Sequence, residues 1–201
     1  MRTKDFNSLT TALMKDLPGF RVKGSLMFIP PCKHLLRGIY FEPSAADGRS
    51  FYVWVFVLPL FVPTEHLYFN LGKRIGSGWN ADSPDLLIEL CEAIKREALP
   101  FLNSMGTLKG LTETPIENSP DIRAQQAIAY GLAITGDIEQ ALIALDLLIL
   151  SLDVEFPWQQ AIKDKAQELS SMLKQDPSLA LRCLQTWEAE TIRNLKLEEF
   201  A

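Results

Sequence analysis

Hydrophobic positions change their spacing near residue 110. Ahead of that point lie short apolar runs rich in aromatic and β-branched residues. Behind it lie long stretches with apolar residues every three or four positions, the clearest being AIAYGLAITGDIEQALIALDLLIL, Ala127–Leu150. A period near two marks strands and a period near 3.6 marks helices. The chain therefore reads as α+β: an α-β-β-β-β-α antiparallel sheet domain over residues 1–105, a polar connection over 106–119, and a helical bundle over 120–201.

In the front part, Phe6, Leu9, Leu13 and Leu17 share one helix face, and Pro18-Gly19 stops that helix. Strands are expected over Phe20–Ile29, His34–Phe41, Phe51–Leu58 and His66–Ile75. Pro30-Pro31 should break the first, and Asp47-Gly48 should turn the chain into the third. The third, FYVWVFVL, is apolar except for Tyr52, which fits a strand covered on both faces. Pro59 and Pro63 have no N–H to give and should leave the ladder. Ser83-Pro84-Asp85 has helix-start chemistry, and Leu87, Leu90, Cys91, Ile94 and Ala98 then form an apolar face.

In the back part, Ser119-Pro120-Asp121 begins a helix to about Thr135, and Gly136-Asp137 reverses it. Ile138–Leu152 is apolar almost all round, which places it inside a bundle. Phe156-Pro157-Trp158 and Asp176-Pro177 start two further helices, the last packing through Leu181, Leu184, Trp187 and Leu195. Its tail, LKLEEFA, is expected to fray.

Composition narrows the class. With 47% hydrophobic residues a sizeable core is available. Neither of the greasiest segments reaches the ~20 apolar residues of a membrane span, and no signal peptide is legible at the N-terminus. Three well-separated cysteines, Cys32, Cys91 and Cys183, suit a reducing cytoplasm better than a disulfide framework. Residues 1–110 carry 13 basic and 10 acidic side chains, and residues 111–201 carry 7 and 15. Neither part has the concentrated basic face of a nucleic-acid binder, and the acidic back half could face a basic partner.

Candidate chemistry is sparse. Cys32 and His34 form a C-x-H pair, yet a structural zinc needs about four ligands, and no second pair exists; no metal and no cofactor are expected. Glu65 and His66, adjacent on an expected strand, would point to opposite faces. Cys91 lies on an apolar helix face, as a core thiol does. The segment Gly72–Gly78 reads as a glycine-rich loop in which Lys73 and Arg74 add charge, without matching a phosphate-binding motif. Trp79 after it is either a recognition anchor or a plug at the end of the sheet.

Two resemblances add to this. With Gly136-Asp137 on the turn, Ile128, Ala129 and Ala141 fall on the apolar and small positions of a tetratricopeptide-type helical hairpin, over residues 122–155. Gln125 and Asp153 stand where that family favours Trp and Pro, and 157–197 holds no second copy. The order of elements in residues 1–105, with DLPGFRVKGSLMF at a helix-to-strand junction, resembles small bacterial α/β proteins, several of which are immunity proteins against secreted toxins. That resemblance implies binding to another protein.

The favoured reading is a cytoplasmic protein-interaction module, of immunity or adaptor type, acting by surface binding through Lys73, Arg74 and Trp79. Its partner is another protein, with neither nucleic acid nor membrane involved; a homo-oligomer is compatible. The alternative is a small-ligand-binding protein or enzyme using a cleft between sheet and helices, with His34, His66, Lys73 and Arg74 as its polar groups.

Overall fold

The computed structural model describes residues 3–45, 48–113 and 121–201. They form an α+β structure with a five-stranded antiparallel sheet in the N-terminal part, followed along the chain by helices. Helix α1 (Thr3–Leu13) is followed by β1 (Arg21–Lys23), β2 (Leu26–Lys33), β3 (Leu35–Pro43), β4 (Ser50–Pro59) and β5 (Gly72–Asn80), in the spatial order β1-β2-β3-β4-β5. Helix α2 (Leu86–Ala93), a π-helical stretch (Ile94–Ala98) and α3 (Leu99–Met105) come next. Then come α4 (Leu108–Thr112), α5 (Ile122–Thr135), α6 (Ile138–Ser151), α7 (Pro157–Gln175) and α8 (Pro177–Asn194).

The contacts group these elements into two compact units. One holds residues up to Leu58, Leu71–Gly106 and Glu199–Ala201; the other holds Pro59–Asn70 and Thr107–Glu198. The segment Pro59–Asn70 leaves the sheet between β4 and β5 and clusters with the helices.

In the sheet unit the core is aromatic. Phe6 of α1 meets Phe51 of β4 edge-on at 5.5 Å and Phe41 of β3 at 5.9 Å. All three rings are fully buried. Pairing of Val53 with Ile75 and Val55 with Lys73 puts these residues on the same helix-covered face. The opposite face carries Tyr40, Glu42, Tyr52, Trp54 and Arg74. Gly38 lies there too, where a Cβ would sit 2.9 Å from the Phe56 ring.

Several expectations are corrected. Phe20–Ile29 is two strands, because Gly24, with φ +60°, lets the chain fold into a hairpin pairing Lys23 with Leu26. Pro30-Pro31 does not end β2, but the register with β3 shifts between Ile29 and Lys33, since prolines donate nothing to a ladder. The last strand is Gly72–Asn80, not His66–Ile75. The glycine-rich stretch is therefore extended chain, and the extra residues of Gly76-Ser77-Gly78 bulge out between the pairs Val53–Ile75 and Phe51–Trp79. The Asp47-Gly48 turn lies partly outside the described residues, although Ser44 N–H donates to Ser50 O at 2.9 Å across its base.

In the helical unit, Gly136 takes φ +83° between α5 and α6, and the N–H groups of Gly136 and Asp137 close on Ala133 O and Leu132 O. A left-handed glycine at this point ends one helix and reverses the chain. Helix α5 begins at an N-cap Asp121, which accepts from Ala124 N–H at 3.0 Å; the Ser119-Pro120 half of the expected start lies outside the described residues. Gly131 lets α5 approach closely, since a Cβ there would stand 3.1 Å from Thr112 Cγ2.

Three packing expectations fail. Helix α6 is not enclosed: Ala141, Ala144, Leu145 and Leu148 are buried, while Ile143, Leu147 and Leu150 are exposed. Leu87 and Leu181 are also exposed, because α2 turns Leu86 and Leu90 inward and α8 turns Ala180, Leu184 and Trp187 inward. The C-terminal tail is held rather than frayed: Leu197 is buried and the Phe200 ring meets Phe28 edge-on at 4.9 Å. No helix among the described residues is long and apolar enough to cross a membrane.

Candidate functional site

The residues singled out in the sequence do not converge. Lys73 and Arg74 are neighbours on β5 and so project from opposite faces. Lys73 extends over the Phe101 ring of α3 at 5.9 Å. Arg74 lies on the Tyr52 ring at 4.1 Å and the Trp54 ring at 4.8 Å, with Glu42 Oε2 3.6 Å from its Nη2. Trp54 Nε1 donates to the same carboxylate at 2.8 Å. Arg74 is thus spent within a stacked, charge-neutralised cluster. Trp79 pairs with Phe51, on the helix-covered side, and its Nε1 donates to Ile75 O at 3.0 Å. It folds over the bulge at Gly76.

The metal-like and acid–base pairs also separate. His34 occupies the turn between β2 and β3 with φ +60°, off the strand face that carries buried Cys32. Burial pushes the Cys32 thiol up to about 11, against the opposing pull of Arg37. His66 is exposed in the segment between β4 and β5, where Thr64 Oγ1 donates to its carbonyl at 2.8 Å. No group of three or more His, Cys, Asp or Glu side chains able to hold a metal exists among the described residues.

The helical unit offers more. Its first feature is the outward face of α6. Ile143, Leu147 and Leu150, spaced four and three residues apart, lie on one stripe, and are 48%, 40% and 82% exposed. Val154 and Phe156 follow in the chain and are also exposed. From Ala124 to Ile162 there is no Lys or Arg, whereas Asp137, Glu139, Asp146, Asp153 and Glu155 are all present. Along the chain the apolar stripe is therefore flanked by carboxylates only.

The second feature is a cavity of about 170 Å³ at the end of the unit where α5 and α7 begin. Trp158, Ala161, Ile162 and Lys165 line it from one face of α7, Arg123 and Gln126 from the start of α5, and Pro63 from the segment after β4. Buried Gln126 sets the geometry. Its Oε1 accepts from Arg123 Nη1 at 3.2 Å and its Nε2 donates to Tyr130 Oη at 3.2 Å. The Tyr130 ring lies 5.6 Å from that of Trp187, and Lys165 Nζ stands 4.6 Å above Trp187. A continuous chain of contacts thus links the two cations behind the cavity.

Arg123 also stands 5.9 Å from the Tyr68 ring centroid. Among the described residues the Tyr68 hydroxyl is buried without a hydrogen-bond partner, and burial drives its pKa upward, as it does that of Tyr130. Asp121, close enough to influence Tyr68, is already engaged: it caps α5 and accepts from Asn70 Nδ2 at 2.6 Å.

Sequence reasoning missed both features. The α6 stripe was visible as surplus hydrophobicity in Ile138–Leu152. The i, i+3, i+4, i+7 spacing of Trp158, Ala161, Ile162 and Lys165 was a signal for one α7 face, but nothing in the sequence aligned it with Arg123. Comparison with known proteins finds no matching family model, no matching curated protein and no matching solved structure.

Proposed function

We propose that the protein is a protein-interaction module, of adaptor or immunity type, which binds its partner through the outward face of α6. The observation that carries this reading is the exposure of Ile143, Leu147 and Leu150 on one stripe. Burying one such side chain is worth about 1.5–3 kcal/mol. Single exposed apolar residues are ordinary, but a helical stripe of three is the pattern by which one helix seats against another.

Charge selects the occupant. Residues 124–162 carry five carboxylates and no Lys or Arg. A second copy docked symmetrically would bring like charges together, because an isologous contact opposes each patch to itself. The partner is therefore a different protein, presenting an amphipathic segment with Lys or Arg beside its apolar positions.

The reading is tested by placing a photo-crosslinking amino acid at position 147 and identifying the captured peptide. A Lys/Arg-rich amphipathic segment of another protein, lost when Leu150 is changed to Asp, is the expected product. Crosslinks only to a second copy of the chain, or capture equal to that of a crosslinker at exposed Gln175, would defeat it.

A further inference from the structure

We infer that the cavity between the N-terminal halves of α5 and α7 is a binding site for a compact carboxylate carrying a flat apolar group, and this site is separate from the α6 stripe. Arg123 and Lys165 line it and carry eight N–H donors between them. Among the described residues only one of these is used, in the bond from Arg123 to Gln126. Among the described residues no carboxylate lines the cavity, although acidic side chains outnumber basic ones about two to one in this part of the chain. Arg123 and Lys165 both line this space, and an anion entering it is attracted by both charges.

The remaining wall defines the rest of the ligand. Trp158, Ile162 and Pro63 are apolar and shape a space of about 170 Å³, near the ~150 Å³ that accommodates a benzene ring. Trp158 is 49% exposed, so its indole offers a free surface on which a planar group can stack. The planar guanidinium of Arg123, steadied by Gln126, matches a carboxylate in bidentate fashion. The ammonium of Lys165, held over Trp187, supplies a second charge. Inorganic phosphate would satisfy the cations and leave the apolar wall empty, so an aromatic carboxylate is the better fit. Such a group occurs in a free small acid and at the C-terminus of a polypeptide ending in an aromatic residue.

Benzoate is the first probe, titrated into the full-length protein while the four indole N–H signals are followed by NMR. Saturable shifts centred on Trp158 are expected. The neutral isostere benzamide should bind at least tenfold more weakly, and inorganic phosphate more weakly than benzoate. Arg123→Gln and Lys165→Met should each weaken benzoate about tenfold, the scale of one charge-assisted hydrogen bond. Ala161→Phe, at an exposed helix position, should block binding by filling the space and serves if either charge variant folds poorly.

Equal binding of benzamide, tighter binding of phosphate, undiminished binding by Lys165→Met and Ala161→Phe, or no saturable shift would each overturn the inference. A pentapeptide ending in free Phe distinguishes the sources. Binding tenfold tighter than benzoate, lost on C-terminal amidation, supports the site and assigns it to a polypeptide terminus. Benzoate binding as tightly as the peptide supports the site and assigns it to a free acid.

Discussion

Gln126 Oε1 accepts a hydrogen bond from Arg123 Nη1 at 3.2 Å, one turn apart on α5, while the Gln126 side chain itself is buried. A buried amide here does two things. It fixes the direction of a cation at the cavity wall, and it gives the buried Tyr130 hydroxyl its partner.

Removal of that amide should therefore destabilise the fold. Gln126→Leu leaves the Tyr130 hydroxyl buried and unpaired, which costs about 1–3 kcal/mol. A double-mutant cycle with Tyr130→Phe, followed by urea denaturation, should show a coupling of about 1 kcal/mol. Additive effects would mean that the 3.2 Å contact contributes nothing.

The two sides of α6 should respond in opposite ways. Leu145→Ala removes a fully buried side chain and should cost about 2–5 kcal/mol. Leu150→Asp changes a side chain that is 82% exposed, so stability should move by no more than about 0.5 kcal/mol. Thermal melts of the two variants decide the matter, and a large loss from Leu150→Asp would show that its side chain is covered.

Gly38 should not accept a side chain. Its Cβ would stand 2.9 Å from two atoms of the fully buried Phe56 ring and 3.1 Å from Leu26 Cδ1. Overpacking of this kind costs about 1–3 kcal/mol. Gly38→Ala should lower the denaturation midpoint, and combining it with Phe56→Leu should recover part of the loss.

Alkali should reveal Cys32. Its thiol is raised from an ordinary 9.0 to about 11 in the fold. The unfolded chain therefore loses this proton first. The stability contribution is intact below pH 9 and is lost progressively as pH rises toward about 11. The slope of unfolding free energy against pH across that window should be shallower in Cys32→Ala than in the parent. An unchanged slope would show that the thiol titrates normally.

Much of the fold was legible because its signals are local. Gly136-Asp137 marks the α5–α6 reversal since a left-handed residue is needed there and glycine supplies it without strain. Asp176-Pro177 marks the start of α8 because the Asp176 side chain caps it, accepting from Ser178 N–H, and Pro177 takes the first helical position. The β5 boundary was not legible. His66–Ile75 and Gly72–Asn80 have equally mixed patterns, and the register is fixed by partners on β4, Trp54 with Arg74 and Val53 with Ile75.

The sequence by itself determined where strands give way to helices, since periodicity and the glycine and proline stops act through neighbours a few residues away. Tertiary structure decided which face each element turns inward. Ile138–Ser151 is apolar almost all round, so only packing could choose Leu145 for the core and leave Leu150 in water. It also brought Pro63, Arg123 and Lys165 to one cavity. These residues lie far apart in the chain, and meetings of that kind depend on helix placement, which no local pattern encodes.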